Sequence, residues 1–244
     1  MNFENEYKKT VDMLKPSEKF KKSLFKVQEG RTMKFDKKKF AIIAAAATMA
    51  IGTTAFAAGG ISYYTSSSSP KDAITDYSEA MSKADELGCE SIPEAFSNGY
   101  TFENANTMDV NGMSESGKVM VTSTDFTADY VKDDMPDIHM FVNHLHETED
   151  NGYAVESKMI GDVEVYFNRV TYKFVPAGYE LTEEDEKNME DPHFELSCGT
   201  DEIEIMENTG VSFQKGDKLY NMFAWDSEMT SEEWYAMAEE LLAE

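Results

Sequence analysis

The sequence predicts an α+β fold, with one transmembrane helix followed by an extracytoplasmic antiparallel sheet that carries packed N- and C-terminal helices. Three observations support this prediction. Residues 40–58 form an uncharged apolar stretch. Apolar and polar residues alternate through much of residues 100–225, as they do in half-buried strands. A helical pattern lies at each end of that stretch, so we expect the two helices to cover one sheet.

The transmembrane helix is assigned to residues 40–58, which are 19 residues without a charge. About 20 apolar residues are needed for a helix to cross the hydrocarbon core, and a helix satisfies its own backbone there. Four lysines precede the segment, at positions 34, 37, 38 and 39, and the next basic residue is Lys71. The positive-inside rule therefore predicts a cytoplasmic N-terminus and an extracellular C-terminal domain.

A secretory signal is the alternative interpretation of the same segment. Ala55-Phe56-Ala57 is an A-x-A site that follows an apolar run with lysines before it. However, 39 residues would precede that run, which is long for the basic part of a signal peptide. We therefore favour a retained anchor in the cell membrane, with cleavage after Ala57 left open.

The charges are divided unequally by the apolar segment. Residues 1–39 hold 12 Lys and Arg against 6 Asp and Glu, a net charge of +6. Residues 59–244 hold 10 against 41, a net charge of −31. The basic arm suits an anionic inner leaflet or an acidic partner. The acidic part argues against nucleic-acid binding, because phosphate contacts need basic groups.

The basic arm, residues 1–39, has the pattern of two short amphipathic helices separated by Pro16-Ser17. Neither helix is long enough to be stable alone in water. We expect their apolar stripes to lie in the groove of a partner or on the membrane surface. The alternative is a disordered arm that only sets topology. The predicted partner contacts are Tyr7, Val11, Leu14, Phe20 and Leu24.

Residues 59–70 are expected to form a Gly/Ser linker, and residues 71–244 an acidic extracytoplasmic domain. Ser69-Pro70 predicts a helix start, since Ser caps helices and Pro suits their first position. Gly88 would end this helix. Its predicted apolar face consists of Ile74, Tyr77, Met81 and Ala84.

The strand pattern changes parity within residues 163–174. Val163, Val165 and Phe167 share one parity, whereas Val170, Tyr172 and Phe174 share the other. A parity switch moves side chains to the opposite face, so we expect a turn or bulge at Asn168-Arg169. Residues 182–189 are predicted to form a short acidic helix or loop, and residues 203–206 and 211–213 separate strands.

The end of the chain shows a hairpin and then a helix. Lys215-Gly216-Asp217 is a turn between two apolar alternating runs. Thr230 and Glu233 have the spacing of a capping box. The helix that follows presents Trp234, Met237, Ala238 and Leu241 on one face.

The two cysteines, Cys89 and Cys198, both follow the apolar segment, where disulfides persist if the compartment is oxidising. A disulfide between them is one expectation, and two buried free thiols is the other.

His144 and His146 would share a face of a strand, but zinc needs further ligands that the sequence does not place. No P-loop, G-x-S-x-G or H-E-x-x-H motif is present. We expect no enzyme activity, no cofactor and no metal.

The domain after the apolar segment resembles the extracytoplasmic domains of Firmicutes single-pass membrane proteins of the anti-sigma-factor type. These are catalogued as domains of unknown function. The resemblance is carried by Ile92-Pro93 with Asn98-Gly99-Tyr100-Thr101-Phe102, residues 172–185 (YKFVPAGYELTEED), the late hairpin and residues 230–242. The arm at residues 7–24 is similar to the short N-terminal peptide of these proteins.

This resemblance implies a membrane-tethered regulator of transcription. Residues 1–39 would bind an extracytoplasmic-function sigma factor, and the outer domain would be sensory or bind a ligand. The zinc-binding type of anti-sigma factor has a His-x3-Cys-x2-Cys motif in its inner domain. Residues 1–58 contain no His and no Cys, so the resemblance is to the type without zinc.

Overall fold

The computed structural model describes residues 63–89, 92–114, 116–144, 153–176 and 178–243, all within one unit, Lys38–Glu244. Residues 1–39 and the predicted transmembrane helix at residues 40–58 lie outside the described residues. Within the described ranges, no helix is both long enough and apolar enough to cross a membrane.

The described chain is an α+β domain, as predicted. Its helices are α1 (Tyr77–Glu86), α2 (Glu183–Asn188) and α3 (Ser231–Ala243). Its strands are β1 (Tyr63–Ser67), β2 (Thr101–Met113), β3 (Val119–Val131), β4 (Ile138–His144), β5 (Ala154–Ile160), β6 (Val163–Val175), β7 (Phe194–Cys198), β8 (Glu204–Lys215) and β9 (Lys218–Trp225).

The nine described strands form one sheet in the order β1-β2-β3-β4-β9-β8-β6-β5. All of these neighbours are antiparallel. β7 lies beside β6 as well, and this pair is parallel. β5 and β7 therefore share the same side of the long strand β6, with β5 along residues 163–168 and β7 along residues 171–175.

The expected linker at residues 59–70 contains an edge strand. β1 pairs with β2 from Tyr63 opposite Met113 to Ser67 opposite Asp109. Residues 65–67 are exposed, and small polar side chains are tolerated on an edge strand that faces solvent. The sheet therefore includes residues that precede Lys71.

The helix predicted from Ser69 starts later in the structure. Ser69 caps only a 3-10 turn, Pro70–Asp72. Ile74 then exchanges two backbone hydrogen bonds of 2.8 Å with Ala105 of β2, which holds this segment extended. Helix α1 begins after Asp76, whose side chain accepts from Glu79 N at 2.9 Å. Gly88 follows the helix with φ +66°, as expected for the residue after a helix end.

The parity switch in β6 has a different cause from the one predicted. β6 runs without a break opposite β8 from Val165 to Phe174. Val165 and Phe167 belong to the larger apolar cluster, whereas Val170, Tyr172 and Phe174 belong to a second cluster. One strand thus serves two cores on opposite sheet faces. The register shift lies in the neighbouring β5.

Strand β8 unites the two separately predicted strands at residues 203–206 and 211–213. Gly210 lies in its middle, beside Phe223 of β9. A Cβ at Gly210 would lie 2.0 Å from the Met222 carbonyl oxygen, far inside van der Waals contact. Glycine is therefore needed for the close approach of β8 and β9. The predicted turn between these strands is confirmed at Gly216 and Asp217.

Helix α3 confirms the predicted cap and buried face. Glu233 accepts hydrogen bonds of 2.8 Å from both the backbone N and the Oγ1 of Thr230. The residues of the predicted face are all at most 3% exposed: Trp234, Met237, Ala238 and Leu241. They belong to the larger apolar cluster, together with Ala80 and Ala84 of α1. Helices α1 and α3 therefore pack on the same core.

Candidate functional site

The residues predicted to bind a cytoplasmic partner lie outside the described residues. They are Tyr7, Val11, Leu14, Phe20 and Leu24. The arrangement of these side chains therefore stays a prediction. The sites described below come from the domain that follows residue 62.

Cys89 and Cys198 are free thiols in the structure. Cys89 is buried behind α1, near Lys218 of β9, whereas Cys198 is exposed at the end of β7. β7 and β9 are separated by β6 and β8, which corresponds to roughly 14 Å at the usual strand spacing. A disulfide requires Cα atoms within about 7 Å, so the expected bridge does not form in this fold.

A buried polar cluster surrounds Cys89 at one end of the sheet. Lys218 Nζ lies 2.7 Å from His144 Nε2. Asp125 Oδ1 accepts from His144 N at 3.3 Å and lies 3.6 Å from His144 Nδ1. Because an ammonium can only donate, Nε2 of His144 is the acceptor and its proton is on Nδ1, facing Asp125.

The chemistry of this cluster is that of a buried, protonated thiol. Burial raises the pKa of the Cys89 thiol to about 11, and the nearby Lys218 ammonium only partly offsets this. Partial burial of its sulfur also raises the pKa of Cys198, although the residue as a whole is exposed. The nucleophilic form is the thiolate, so neither cysteine is activated at neutral pH.

Metal binding at His144 and His146 finds no support in the described residues. His146 lies outside them, and His144 is engaged with Lys218. Within those ranges, no three His, Cys, Asp or Glu side chains group together to hold a metal ion.

A second polar cluster, here called the latch, fixes the chain after β6. Its centre is the Asp185 carboxylate, which is 1% exposed. Lys173 Nζ and Tyr179 Oη donate to its two oxygens, the latter at 2.7 Å. Thr182 donates to Asp185 from its backbone N at 3.0 Å and from Oγ1 at 2.8 Å, and Asp185 N donates back at 3.1 Å.

The electrostatics of the latch favour the charged forms of both ionisable partners. Hydrogen bonds from Lys173, Tyr179 and Thr182 hold the pKa of Asp185 far below its usual value. Hydrogen bonds to Asp185 and Tyr179 raise the pKa of Lys173. Lys173 also lies 5.0 Å from the centre of the Tyr179 ring. The latch therefore stays an ion pair over a broad pH range.

The residues of the latch lie within the sequence segment 172–185. Lys173 and Tyr179 supply two of the interactions, and Thr182 with Asp185 forms a capping box at the start of α2. Residues 182–189 were predicted to form an acidic helix or loop, and the helix is the form found, but the burial of Asp185 was not predicted. The signal was present in the Thr-x-x-Asp spacing, which is that of a capping box with an acidic partner.

Exposed aliphatic side chains border the latch. Leu181 precedes its capping residue, and Met189 ends helix α2; they are 50% and 53% exposed. Ile205 of β8 is the register partner of Lys173 on the same sheet face and is 67% exposed. Ile203, two residues earlier, is exposed as well. Exposed apolar side chains that lie together mark interaction sites, so this part of the surface is a candidate for one.

No protein-family model, no curated protein and no solved structure matches this chain. The functional interpretation therefore depends on the residues themselves and on the resemblance given by their motifs.

Proposed function

We propose that this chain is a single-pass membrane protein of the cell surface with a regulatory role, similar to anti-sigma factors without zinc. The observation that carries the proposal is the division of the sequence by residues 40–58. A basic arm of net charge +6 precedes that segment, and an acidic part of net charge −31 follows it. This charge asymmetry favours an arm inside and a domain outside.

The described fold supports the outer part of this proposal. The described part of the sheet includes Tyr63, which is only five residues beyond the end of the apolar segment at residue 58. The acidic domain would therefore lie close to the outer membrane surface. The latch displays aliphatic side chains on a rigid support, which suits a sensory or binding domain.

The inner part of the proposal concerns a protein partner. Residues 1–39 would bind an extracytoplasmic-function sigma factor through the apolar stripes of two short helices. Such helices are unstable alone and gain stability in a hydrophobic groove. The contacts would be Tyr7, Val11, Leu14, Phe20 and Leu24.

Co-purification from the native host tests the inner part. We expect a sigma factor to co-purify with the full chain and to be lost when Leu14 and Phe20 are both changed to Asp. Lys9→Ser with Lys22→Ser alters the opposite helix faces and should retain the partner. If no sigma factor co-purifies with the unaltered chain, the regulatory proposal fails.

A second candidate is a cell-surface or secreted binding or structural domain with no sigma-factor partner. The A-x-A sequence at Ala55-Phe56-Ala57 favours it, because cleavage there would release the domain. Mass spectrometry of the mature N-terminus separates the two candidates. A protein that begins at Ala58 is secreted, whereas an intact N-terminus is expected for the anchored regulator.

The orientation has its own test. Protease added to intact cells should degrade the acidic domain and leave the basic arm protected. A domain that is degraded only after permeabilisation would show that the topology is the reverse.

A further inference from the structure

Strand β8 has an uncovered edge next to the latch. Along residues 208–215, β8 pairs with β6 or with β9, and β9 ends at Trp225 opposite Asn208. Among the described strands, residues 204–207 of β8 pair with β6 only. On the side where β9 would continue, the described part of the chain places no strand beside them.

The backbone of Ile205 points toward that uncovered side. Glu207 N donates to Asp226 Oδ1 at 2.9 Å, and Glu207 O accepts from Asp226 N at 2.7 Å. Glu207 therefore directs its main chain away from β6. Its register partner on β6, Thr171, donates its N–H to His193 O and so also faces away from β8. Because main-chain directions repeat every second residue, Ile205 directs its N–H and C=O outward too.

The side chains beside this edge form a rigid apolar border. Ile205 is 67% exposed and lies beside Lys173 of the latch. The hydrogen bonds to Asp185 fix the segment that carries Leu181 and Met189. An added strand would thus meet the outward main-chain groups of Ile205 and these aliphatic side chains at the same place.

The negative charge of the residues along this edge indicates that its partner is positively charged. Residues 201–207 contain four acidic side chains and no basic one. The Arg169 guanidinium contacts one of them, Glu207, at 3.6 Å. A second copy of this domain would bring like charges together, which opposes strand pairing. A segment that alternates aliphatic residues with Lys or Arg would complement both the apolar border and the acids.

We propose that the β8 edge at residues 204–207 binds an extended cationic polypeptide segment by strand addition, with Ile205 as its main-chain contact. The inference rests on the proposed function only in placing this partner outside the cell. Binding itself is a property of the folded domain and does not depend on orientation or on a sigma factor.

A set of three peptides tests the proposal on the full-length chain in detergent micelles. The first is a fluorescent heptapeptide of alternating Lys and Val. The second is the same peptide with an N-methyl group on every residue, which keeps the charge and the side chains but removes the main-chain donors of both edges. The third replaces Lys by Glu. Fluorescence anisotropy at two salt concentrations measures Kd and stoichiometry.

We expect the Lys/Val peptide to bind one-to-one and more weakly at high salt, since screening reduces charge attraction. The N-methylated peptide should bind about tenfold more weakly, because it loses main-chain hydrogen bonds. The Glu/Val peptide should not bind. Equal affinity for the methylated and unmethylated peptides would show simple charge adsorption and overturn the proposal, as would no binding of the Lys/Val peptide.

Variants at Ile205 locate the site. Ile205→Pro removes the outward N–H, and proline is tolerated at a strand edge that faces solvent. It should weaken the Lys/Val peptide about tenfold, while Ile205→Val should bind normally. Unchanged binding by a folded Ile205→Pro protein would overturn the proposal. If that variant does not fold, the N-methylated peptide still decides the question on the unaltered chain.

Discussion

Two lysines of the sheet, Lys173 and Lys218, show two different ways of holding a partly buried ammonium. Their side chains are 16% and 7% exposed. Lys173 donates to the buried carboxylate of Asp185 and to Tyr179. Lys218 instead faces Nε2 of the His144 ring, and the nearby carboxylate of Asp217 is 83% exposed.

The difference lies in how each cluster is assembled. The latch joins Lys173 to Asp185, twelve residues apart, and satisfies both charges directly. The Lys218 cluster joins β9, β4, β3 and the end of α1, and its buried acid, Asp125, is reached through His144. The first cluster is a local lock on one segment. The second cluster joins distant segments, and the only carboxylate in direct contact with its lysine in the described residues is the exposed one of Asp217, at 3.5 Å.

The largest expected effect is from Asp185→Ala. This change leaves the Lys173 ammonium and the Thr182 N–H without their acceptor, and uncompensated buried charge is strongly destabilising. We expect a clear fall in the midpoint of urea unfolding, measured by the fluorescence of Trp225 and Trp234, the two tryptophans of the chain.

Glu186→Ala is the matched control for this variant, because it changes the next residue of α2 and that residue is exposed. Its midpoint should stay near that of the unaltered protein. If both variants behave alike, the latch does not hold the segment.

The acid dependence of stability is the next largest effect. The Asp185 pKa is lowered in the folded state from the ordinary value of 3.8. Its contribution is therefore complete above pH 3.8 and is lost as the pH falls further, because protonation then favours the unfolded chain. The difference in midpoint between the unaltered protein and Asp185→Ala should be constant from about pH 5 to 8 and shrink in stronger acid.

This difference in midpoint reports the titration of Asp185 separately from that of other carboxylates. Asp191 and Glu233 also have lowered pKa values, caused first by backbone hydrogen bonds from His193 and Thr230, and they act equally in both proteins. A difference that persists unchanged into strong acid would contradict the assignment of Asp185 as the titrating group.

A smaller effect is expected from Tyr179→Phe. The hydroxyl donates to Asp185 at 2.7 Å and accepts from Lys173 at 2.9 Å. Loss of a hydrogen bond to a charged group costs about 1.5–3 kcal/mol, and the ion pair remains to limit the loss. Urea unfolding should give a value in this range. Tyr166→Phe, which removes a hydroxyl bonded to Glu164, provides the comparison.

The smallest effect on stability is expected from a change at Lys218. Lys218→Met should change the free energy of unfolding by less than about 1 kcal/mol, because a poorly paired buried charge contributes little net stability. It should also raise the pKa of Cys89 above its value of about 11, since the ammonium lowers it. Thiolate absorbance against pH, with Cys198→Ser in the background, measures this. A fall in the Cys89 pKa would contradict the placement of Lys218 beside the thiol.

Local patterns in the sequence predicted much of the fold. The cap and buried face of α3 and the turn at Gly216 were predicted from spacing over a few residues, and residues 182–189 were predicted to be a helix or loop. The prediction failed where a distant strand intervened. Ile74 is held extended by Ala105 of β2, so the helix expected from Ser69 begins only after Asp76.

The candidate sites divide in the same way. The residues of the latch lie within the short segment 172–185, although periodicity could not show which acid is buried. The open edge at Ile205 could not be predicted at all, because it depends on where β9 ends relative to β8. The disulfide expectation failed for a similar reason, since strand order separates Cys89 from Cys198.

The sequence by itself determined the α+β class, the terminal helices and the division of charge around an apolar segment. These depend on composition and on periods of two to four residues, which a single chain displays directly. The tertiary structure decided the faces of β6, the partners of Lys218 and the uncovered edge of β8. Each of these depends on strand order and register, which bring together residues that are far apart along the chain.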